Sequence, residues 1–528
     1  EGEEIRMIQF ERPAGAEQTR VTVVEMVRRA ARDKPQAEAV VCGATRLTWA
    51  AFDARINRVA NALLAAGLQK GEPVAILSPN SAAYAELFMG ILRAGGCVTP
   101  LSTMASPAAL KGMLADCGAR LLFLAEAYRD LAAQAVDALP LRVVALDFHA
   151  PGVDDYEALL AAASGDDPRV PIAMEDRFNL IYSSGTTGTP KGILHDHGLR
   201  AAQMDRIALS GYDQGARTLL STPLYSNTTI VSFLPTLAGG STVHLMRKFD
   251  ARAWLEIAEA ERITHTMLVP VQYKRILDVP EFDRFDLGAL RFKWSTSAPL
   301  RADVKRDALA RFPGTLTELY GLTEGGGITM LAAHENPDKL HTVGQPAPGS
   351  EIRLIDDQGR EVAPGETGEI VGRSPTMMAG YFGRDDLTEA SLWRDDEGRV
   401  FFRSGDMGRF DADGFLILSD RKKDMIISGG LNIFADDLER VLLDDPDVTD
   451  AAVIGVPSEQ WGETPLGLVV LRKGAARGPE EIRARANEAL GKSQRLSAVE
   501  ARDELPRSSI GKILKRALRA PYWDHQPA

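Results

Sequence analysis

Two amphipathic helices open the readable part of the hydropathy pattern. One covers residues 22–33; the second starts at Thr48 as N-cap, carries Phe52, Ile56, Val59, Ala60, Leu63 and Leu64 on one face, and stops at Gly67. The period then changes. Pro73 to Leu77 is an unbroken apolar run of strand length, Tyr84 to Ala94 returns to helical spacing up to a Gly95-Gly96 stop, and Cys97 to Pro100 reads as the next strand. Strand, helix and strand in succession imply a parallel sheet with right-handed crossovers. The alternation continues through 121–125 and 142–147 and resumes at 218–221, 242–246, 266–269, 292–295 and 315–319. The predicted class is α/β, a large N-terminal domain of two doubly wound α/β subdomains, residues 40–180 and 180–335. A ligand cleft is expected between them at the carboxyl ends of strands.

Beyond residue 340 the rhythm becomes short strands and Gly/Pro turns, as in Glu351 to Ile355, Asp357 to Arg360, Pro364 to Gly368 and Gly414 to Leu418. These predict a small β-barrel subdomain. A last α+β unit follows from residue 424 to 528, with strands at 451–456 and 466–472 and helices near 436–443, 479–490 and 512–519.

Composition narrows the class without naming a chemistry. At 528 residues the chain exceeds what one hydrophobic core sustains, so several structural units are expected. No apolar run approaches the ~20 residues of a membrane span. The acidic start, Glu1-Gly2-Glu3-Glu4, lacks the basic and apolar segments of a secretory signal, and a cytoplasmic location is expected. Cys42, Cys97 and Cys117 stand among apolar residues without metal-ligand spacing and read as core thiols. A net charge of −12 argues against a nucleic-acid partner.

The chemistry begins at Tyr182. A buried strand, Phe178 to Tyr182, leads into Ser183, Ser184, Gly185, Thr186, Thr187, Gly188, Thr189, Pro190, Lys191 and Gly192, a composition unsuited to a core. The glycines let backbone N–H groups converge on an anion, the hydroxyls add donors, and Lys191 supplies a point charge. A Walker loop would run from its lysine into a helix, whereas here Pro190 precedes the lysine and Gly192-Ile193-Leu194 continue as a strand. The segment resembles the phosphate loop of the adenylate-forming superfamily, which includes acyl-CoA synthetases, adenylation domains of peptide synthetases and beetle luciferases.

Further motifs match that superfamily in order. Tyr320-Gly321-Leu322-Thr323-Glu324 ends a strand and enters Gly325-Gly326-Gly327, Ser404-Gly405-Asp406 follows, and then come Asp420-Arg421-Lys422-Lys423-Asp424, Ser428-Gly429-Gly430 and Gly511-Lys512. The resemblance implies that Tyr320 stacks on adenine beside Gly321, Thr323 bonds the α-phosphate and Glu324 holds Mg2+, roles that suit a flat aromatic face, a neutral donor and a hard oxygen ligand. It gives Asp406 the ribose hydroxyls and Arg421 the ribose or phosphate. Lys423 becomes a hinge between residues 1–422, the adenylation domain, and a mobile domain of residues 423–528. Ser428, Gly429 and Gly430 become the wall of a CoA tunnel, and Lys512 the bridge from the substrate carboxylate to the α-phosphate.

The implied reaction has two steps. ATP converts a carboxylate to acyl-AMP and pyrophosphate, with Lys512, Thr323, Lys191 and Mg2+ neutralising charge, and the acyl group then passes to CoA. The partners are thus a small-molecule carboxylate, ATP and CoA, in a monomer or homodimer. Two alternatives stand beside this reading: an adenylation enzyme that loads a separate carrier protein, and a non-catalytic nucleotide-binding protein. The intact Lys191, Glu324 and Lys512 argue against the second.

The acyl pocket implied by the resemblance is walled by Tyr225, Asn227, Val269, Gln272, Tyr273 and Ser297. Between Ser221 and Phe249 there is no Asp or Glu, although amino-acid-activating relatives place an acid there for the α-ammonium. Ser295-Thr296-Ser297-Ala298-Pro299 replaces a glycine-rich Ser-Gly-Gly-Ala-Pro common in the family, and the added atoms shrink or polarise the wall. A small or medium organic acid is expected in preference to a long fatty chain.

Overall fold

The computed structural model describes residues 20–136, 139–183, 191–421, 424–428, 431–458, 461–490, 494–508 and 511–523. The chain forms two compact units, one from the segment up to Glu351 together with Gly372–Phe402, the other from Ile352–Val371 together with Arg403 onwards.

The first unit contains two large sheets. One runs from Gly380–Tyr381 through Lys191–Asp196, Arg177–Ser183, Cys97–Pro100, Pro73–Leu77, Leu121–Leu124 and Arg142–Ala145 to Asp154–Asp155. The other runs from Gln345–Pro346 through Gly325–Ala332, Thr315–Leu322, Phe292–Ser295, His265–Leu268, Arg217–Leu220, Thr242–Leu245 and Glu38–Cys42 to Thr45–Thr48. The α/β class and the strand positions follow the hydropathy pattern, but the halves are not contiguous in sequence. Glu38–Cys42 joins the second sheet, with Val40 beside Val243, while Lys191–Asp196 returns antiparallel along Arg177–Ser183 in the first. Hydropathy within a strand identifies a buried element and carries no information about its neighbour. That choice is made here by contacts distant in sequence, such as Arg46 and Arg217, which both reach Glu38 and Glu261.

Helix starts follow their caps. The Thr48 hydroxyl accepts from the Ala51 N–H at 3.2 Å and begins Trp49–Ala65, and the Ser81 hydroxyl accepts from Tyr84 at 3.1 Å, so the next helix is Ala82–Arg93 and begins two residues before its expected start. These helices and Asn227–Ala238 pack in one core, where the Phe88 ring lies 6.2 Å from Phe178 and 5.6 Å from Phe233. Among the described residues no helix is long and apolar enough to cross a membrane.

Between residues 340 and 421, Gln345–Pro346 and Gly380–Tyr381 join the larger sheets above, and the other short strands form a five-stranded sheet. In the second unit the hairpin of Val448–Ser458 and Gly462–Leu471 is flanked by Ala498–Arg502 and by helices Ala435–Leu443 and Pro479–Ala489. The last helix is Lys515–Trp523, starting three residues later than expected because the Ser508 N–H donates to the Lys512 carbonyl and Arg507 bridges to Ile513.

Thr315–Leu322 carries the Tyr320 motif and is anchored by a buried charge pair. Glu318 and Lys305 are 2% and 1% exposed and form an ion pair; Glu318 also accepts from the Leu300 N–H, and Lys305 donates to the carbonyls of Leu340 and Thr342. Burial pushes the Glu318 carboxyl up and the Lys305 charge opposes that rise. Lys305→Met leaves the carboxylate without its cation and is expected to cost about 3–5 kcal/mol, read as a lower urea midpoint at unchanged slope. Adding Glu318→Gln should recover a large part of the loss, and an unaltered midpoint in Lys305→Met would show that the pair does not anchor this strand.

Candidate active site

Two hairpins of the first unit carry predicted nucleotide residues at their strand ends. The first joins Arg177–Ser183 to Lys191–Asp196, with Ser183 opposite Lys191 in register. The second joins Thr315–Leu322 to Gly325–Ala332, which leaves Thr323 and Glu324 at the turn and places Tyr320 opposite Thr329. Glycine is required on the far side of that turn. Gly325 and Gly326 have φ of +81° and +80°, and a Cβ on Gly325 would lie 2.1 Å from the Thr376 carbonyl oxygen. Gly192 has a different reason: a Cβ there would meet Leu180 at 2.9 Å and Phe382 at 3.3 Å, so this glycine serves packing.

Tyr381 brings the two tips together. Gly380–Tyr381 pairs antiparallel with Ile193 and Leu194. The Tyr381 ring lies 5.4 Å from Lys191 Nζ, its hydroxyl donates to Glu324 Oε1 at 3.0 Å, and the Glu324 carbonyl accepts from the Met378 N–H at 2.9 Å. Burial, and then the Glu324 carboxylate, push the phenol above its ordinary pKa and keep it a donor. A half-buried carboxylate held in this way suits Mg2+, which takes one or two protein oxygens beside phosphate and water. Among the described residues no group of three or more His, Cys, Asp or Glu forms a protein metal cage.

Behind the tips is a buried polar network. The Arg200 guanidinium is fully buried and donates to Asn179 Oδ1 at 3.0 and 2.8 Å, to Gln203 Oε1 at 2.9 Å, to His195 Nδ1 at 2.8 Å and to Asn227 Oδ1 at 3.0 Å. Burial pushes its pKa down to about 9, with Arg206 adding to the fall and Asp196 opposing it. Asn227 is thereby linked to His195, on the strand that begins with Lys191. Near it, the hydroxyls of Thr228 and Ser297 are hydrogen-bonded. The Tyr225 hydroxyl is buried with no hydrogen-bond partner among the described residues. Gln272 donates to the Ser221 carbonyl and accepts from the Val269 N–H, while the Tyr273 hydroxyl donates to the Trp294 carbonyl at 2.9 Å and its ring packs on Phe312. Val269, Gln272 and Tyr273 thus brace strand ends, and Asn227, Thr228, Tyr225 and Ser297 hold the polar groups.

In the second unit Asp406 follows Gly405, which has a φ of +69°, and stands opposite Arg421 in strand register. Its N–H donates to the Ser404 hydroxyl at 3.0 Å, and that hydroxyl donates to the Ile370 carbonyl at 2.7 Å. Ser428 pairs with Leu431 and Gly462. Lys512 lies on a tight turn closed by its N–H to the Ser508 hydroxyl and by Arg507 donating to the Gly511 carbonyl. Ser184, Gly185, Thr186, Thr187, Gly188, Thr189, Lys423, Gly429 and Gly430 lie outside the described residues, as do the side chains of Ser183 and Arg421.

His195, Arg200 and Tyr381 were not legible as site residues in the sequence. The one available signal was a histidine on a strand leaving a phosphate loop, followed five positions later by an arginine in an otherwise apolar helix start.

Ser297 has a φ of +82°, in the left-handed region that favours glycine. Ser297→Gly trades relief of that strain against chain entropy and is expected to change stability by no more than ~1 kcal/mol, whereas Ser297→Val, branched at Cβ, should cost ~2 kcal/mol. Chemical denaturation of both variants checks the contrast; equal midpoints would show that the backbone there is relaxed.

The profile of the AMP-binding enzyme family matches residues 27–382, and that of the AMP-binding enzyme C-terminal domain matches residues 437–512. A feruloyl-CoA synthase of Amycolatopsis sp. is 36% identical over 497 residues, 94% of this chain and 98% of the relative. An indoleacetate-CoA ligase of Aromatoleum aromaticum is 33% identical over 491 residues, 90% of this chain and 92% of the relative. The ATP-bound crystal structure of MatB from Rhodopseudomonas palustris aligns with a TM-score of 0.85 at 29% identity, over 96% of this chain and 99% of that one. Lys191 and Glu324 fall within the first matched region, and Lys512 ends the second. The chain belongs to the AMP-binding enzyme family, the adenylate-forming superfamily in which acyl-CoA synthetases are found.

Proposed function

We propose that this acyl-CoA synthetase activates a small or medium organic carboxylic acid with ATP, giving acyl-AMP and pyrophosphate, and then transfers the acyl group to CoA with release of AMP. The observation that carries the reading is the convergence of Lys191, Tyr381 and Glu324 at two hairpin tips. A carboxylate is a poor acyl donor because its leaving group is oxide, and adenylation supplies a better one. Charge then gathers on the α-phosphate and on the departing pyrophosphate. Lys191 and the phosphate loop from Ser183 to Thr189 take the phosphate charge, Thr323 donates to the α-phosphate, and Glu324 holds the Mg2+ that neutralises the rest. Tyr320 and Gly321 cover the adenine, and Asp406 and Arg421 take the ribose. None of these roles requires a protein base.

The pocket argues for the class of acid. A Thr228–Ser297 hydroxyl pair and the Tyr225 phenol favour a polar or aromatic acid over a long alkyl chain. The two relatives above are named for aromatic acids, which agrees with this class. In the same reading residues 1–422 carry adenylation and residues 423–528 turn about Lys423, so that Lys512 serves the first step and Ser428, Gly429 and Gly430 serve CoA in the second. Dependence on ATP and CoA as substrates supports a cytoplasmic site of action. A pyrophosphate-release screen over a panel of carboxylates, with and without CoA, tests the proposal. Adenylate that stays bound and ignores CoA would favour transfer to a carrier protein.

Tyr381→Phe removes the donor that orients Glu324, so the Mg2+ concentration for half-maximal adenylation should rise ~3 to 10-fold. An unchanged requirement would separate Tyr381 from the metal. The two half-reactions should also divide between two faces of the C-terminal segment. Lys512→Ala is expected to lower acid-dependent pyrophosphate release by ~100 to 1000-fold while still converting supplied acyl-AMP and CoA to thioester. Gly430→Leu should spare the first step and block the second. Equal damage to both steps in each variant would overturn the turning-domain reading.

A further inference from the structure

We infer that His195 and Arg200 are positioning residues that hold the Thr323-Glu324 turn and tie it to the acyl pocket. His195 is 1% exposed, on the strand that leaves the phosphate loop. Arg200 directs two N–H groups at Asn179 Oδ1, which fixes that amide with its nitrogen toward His195. His195 Nδ1 therefore faces two donors, Arg200 at 2.8 Å and the Asn179 amide at 3.1 Å, and must accept. The surrounding donors thus assign the proton to Nε2, which donates to the Thr323 carbonyl at 2.7 Å. The same Arg200 nitrogen has Asn227 Oδ1 at 3.0 Å, so the hydrogen that does not point to Asn179 is shared between His195 and Asn227. One buried guanidinium consequently orients both a side chain of the acyl pocket and, through one imidazole, the backbone of the turn assigned to the α-phosphate and Mg2+.

His195 is not a general base in this arrangement. Its accepting nitrogen is covered by two donors, and its donating nitrogen is spent on a backbone carbonyl. The strand register supports the geometry independently of the side chains, because Asn179 and His195 are direct cross-strand partners. The inference rests on the adenylate-forming reading for the identity of the ligand at the turn. ATP binding is measured without any acid, so failure of the acid screen and failure of this inference are distinguishable.

The test uses isosteres that separate the two ends of the imidazole. In His195→Asn the amide can occupy the Nδ1 position and still accept from Arg200, but it stops short of Thr323. In His195→Gln the amide nitrogen reaches the Nε2 position and donates to Thr323. Calorimetric titration with ATP and Mg2+ should give a dissociation constant raised ~10-fold in His195→Asn and within ~threefold of wild type in His195→Gln. The pH profile of binding in His195→Gln should match wild type. Arg200→Lys keeps the charge but not the fork, and should weaken ATP and raise the KM of the acid in the same variant. Equal affinities in the Asn and Gln variants would reduce His195 to packing. A lost acidic limb in His195→Gln would make it a titrating group, and an Arg200→Lys effect on one ligand only would break the proposed tie. Each of those results overturns the inference.

Discussion

A buried arginine surrounded by neutral acceptors is the contact on which the first unit of this structure depends. An unpaired ion in a protein interior costs several kcal/mol, and it is tolerated where hydrogen bonds replace its hydration. Arg200 meets that condition with Asn179 and His195 on two paired strands, Gln203 on its own helix and Asn227 at the start of Asn227–Ala238. Every guanidinium nitrogen faces an acceptor, with one terminal nitrogen sharing its two hydrogens among three. The network therefore permits few alternative arrangements of the hairpin that bears Lys191.

Rigidity behind the site contrasts with the chemistry at its edge. Lys191, Thr323 and Glu324 occupy hairpin tips, where side chains can meet a ligand while the strands supply a fixed frame. The frame is maintained from below by the Glu318–Lys305 pair and from the side by Tyr381. Two consecutive left-handed glycines past Glu324 let the turn reverse against the Thr376 carbonyl, a separation no side chain permits. Ser297 adopts a similar backbone angle with a Cβ present, so the hydroxyl that faces Thr228 is retained at a cost in local strain.

Electrostatics at the site are local. With a net charge of −12 the chain does not attract anions as a whole. Attraction of phosphate instead requires a concentrated group of donors, and in the proposed reading Lys191 and the segment from Ser183 to Thr189 supply it in residue type while Glu324 supplies a carboxylate for a cation. The Tyr381 phenol stands between them as a neutral spacer that contacts the ammonium with its ring and the carboxylate with its hydroxyl.

By itself the sequence determined the elements and the chemical class. The strands Pro73–Leu77, Cys97–Pro100 and Phe292–Ser295 coincide with the apolar runs that predict them, and Thr48 caps the helix it was expected to cap, because these features depend on side chains within a few positions of one another. The motifs from Tyr182 to Gly192 and from Tyr320 to Glu324 pointed to the family for the same reason: they are written in contiguous residue types. Tertiary structure alone decided that Glu38–Cys42 pairs with Thr242–Leu245 and that Lys191–Asp196 doubles back. It also decided that Gly192 is a packing residue, and that Tyr381, 190 positions from Lys191 in the chain, joins Lys191 to Glu324. Pairing partners and buried polar networks are set by which surfaces meet after collapse, and periodicity along a strand or helix, which reports only whether a position faces inward, contains no term for the residue it will face.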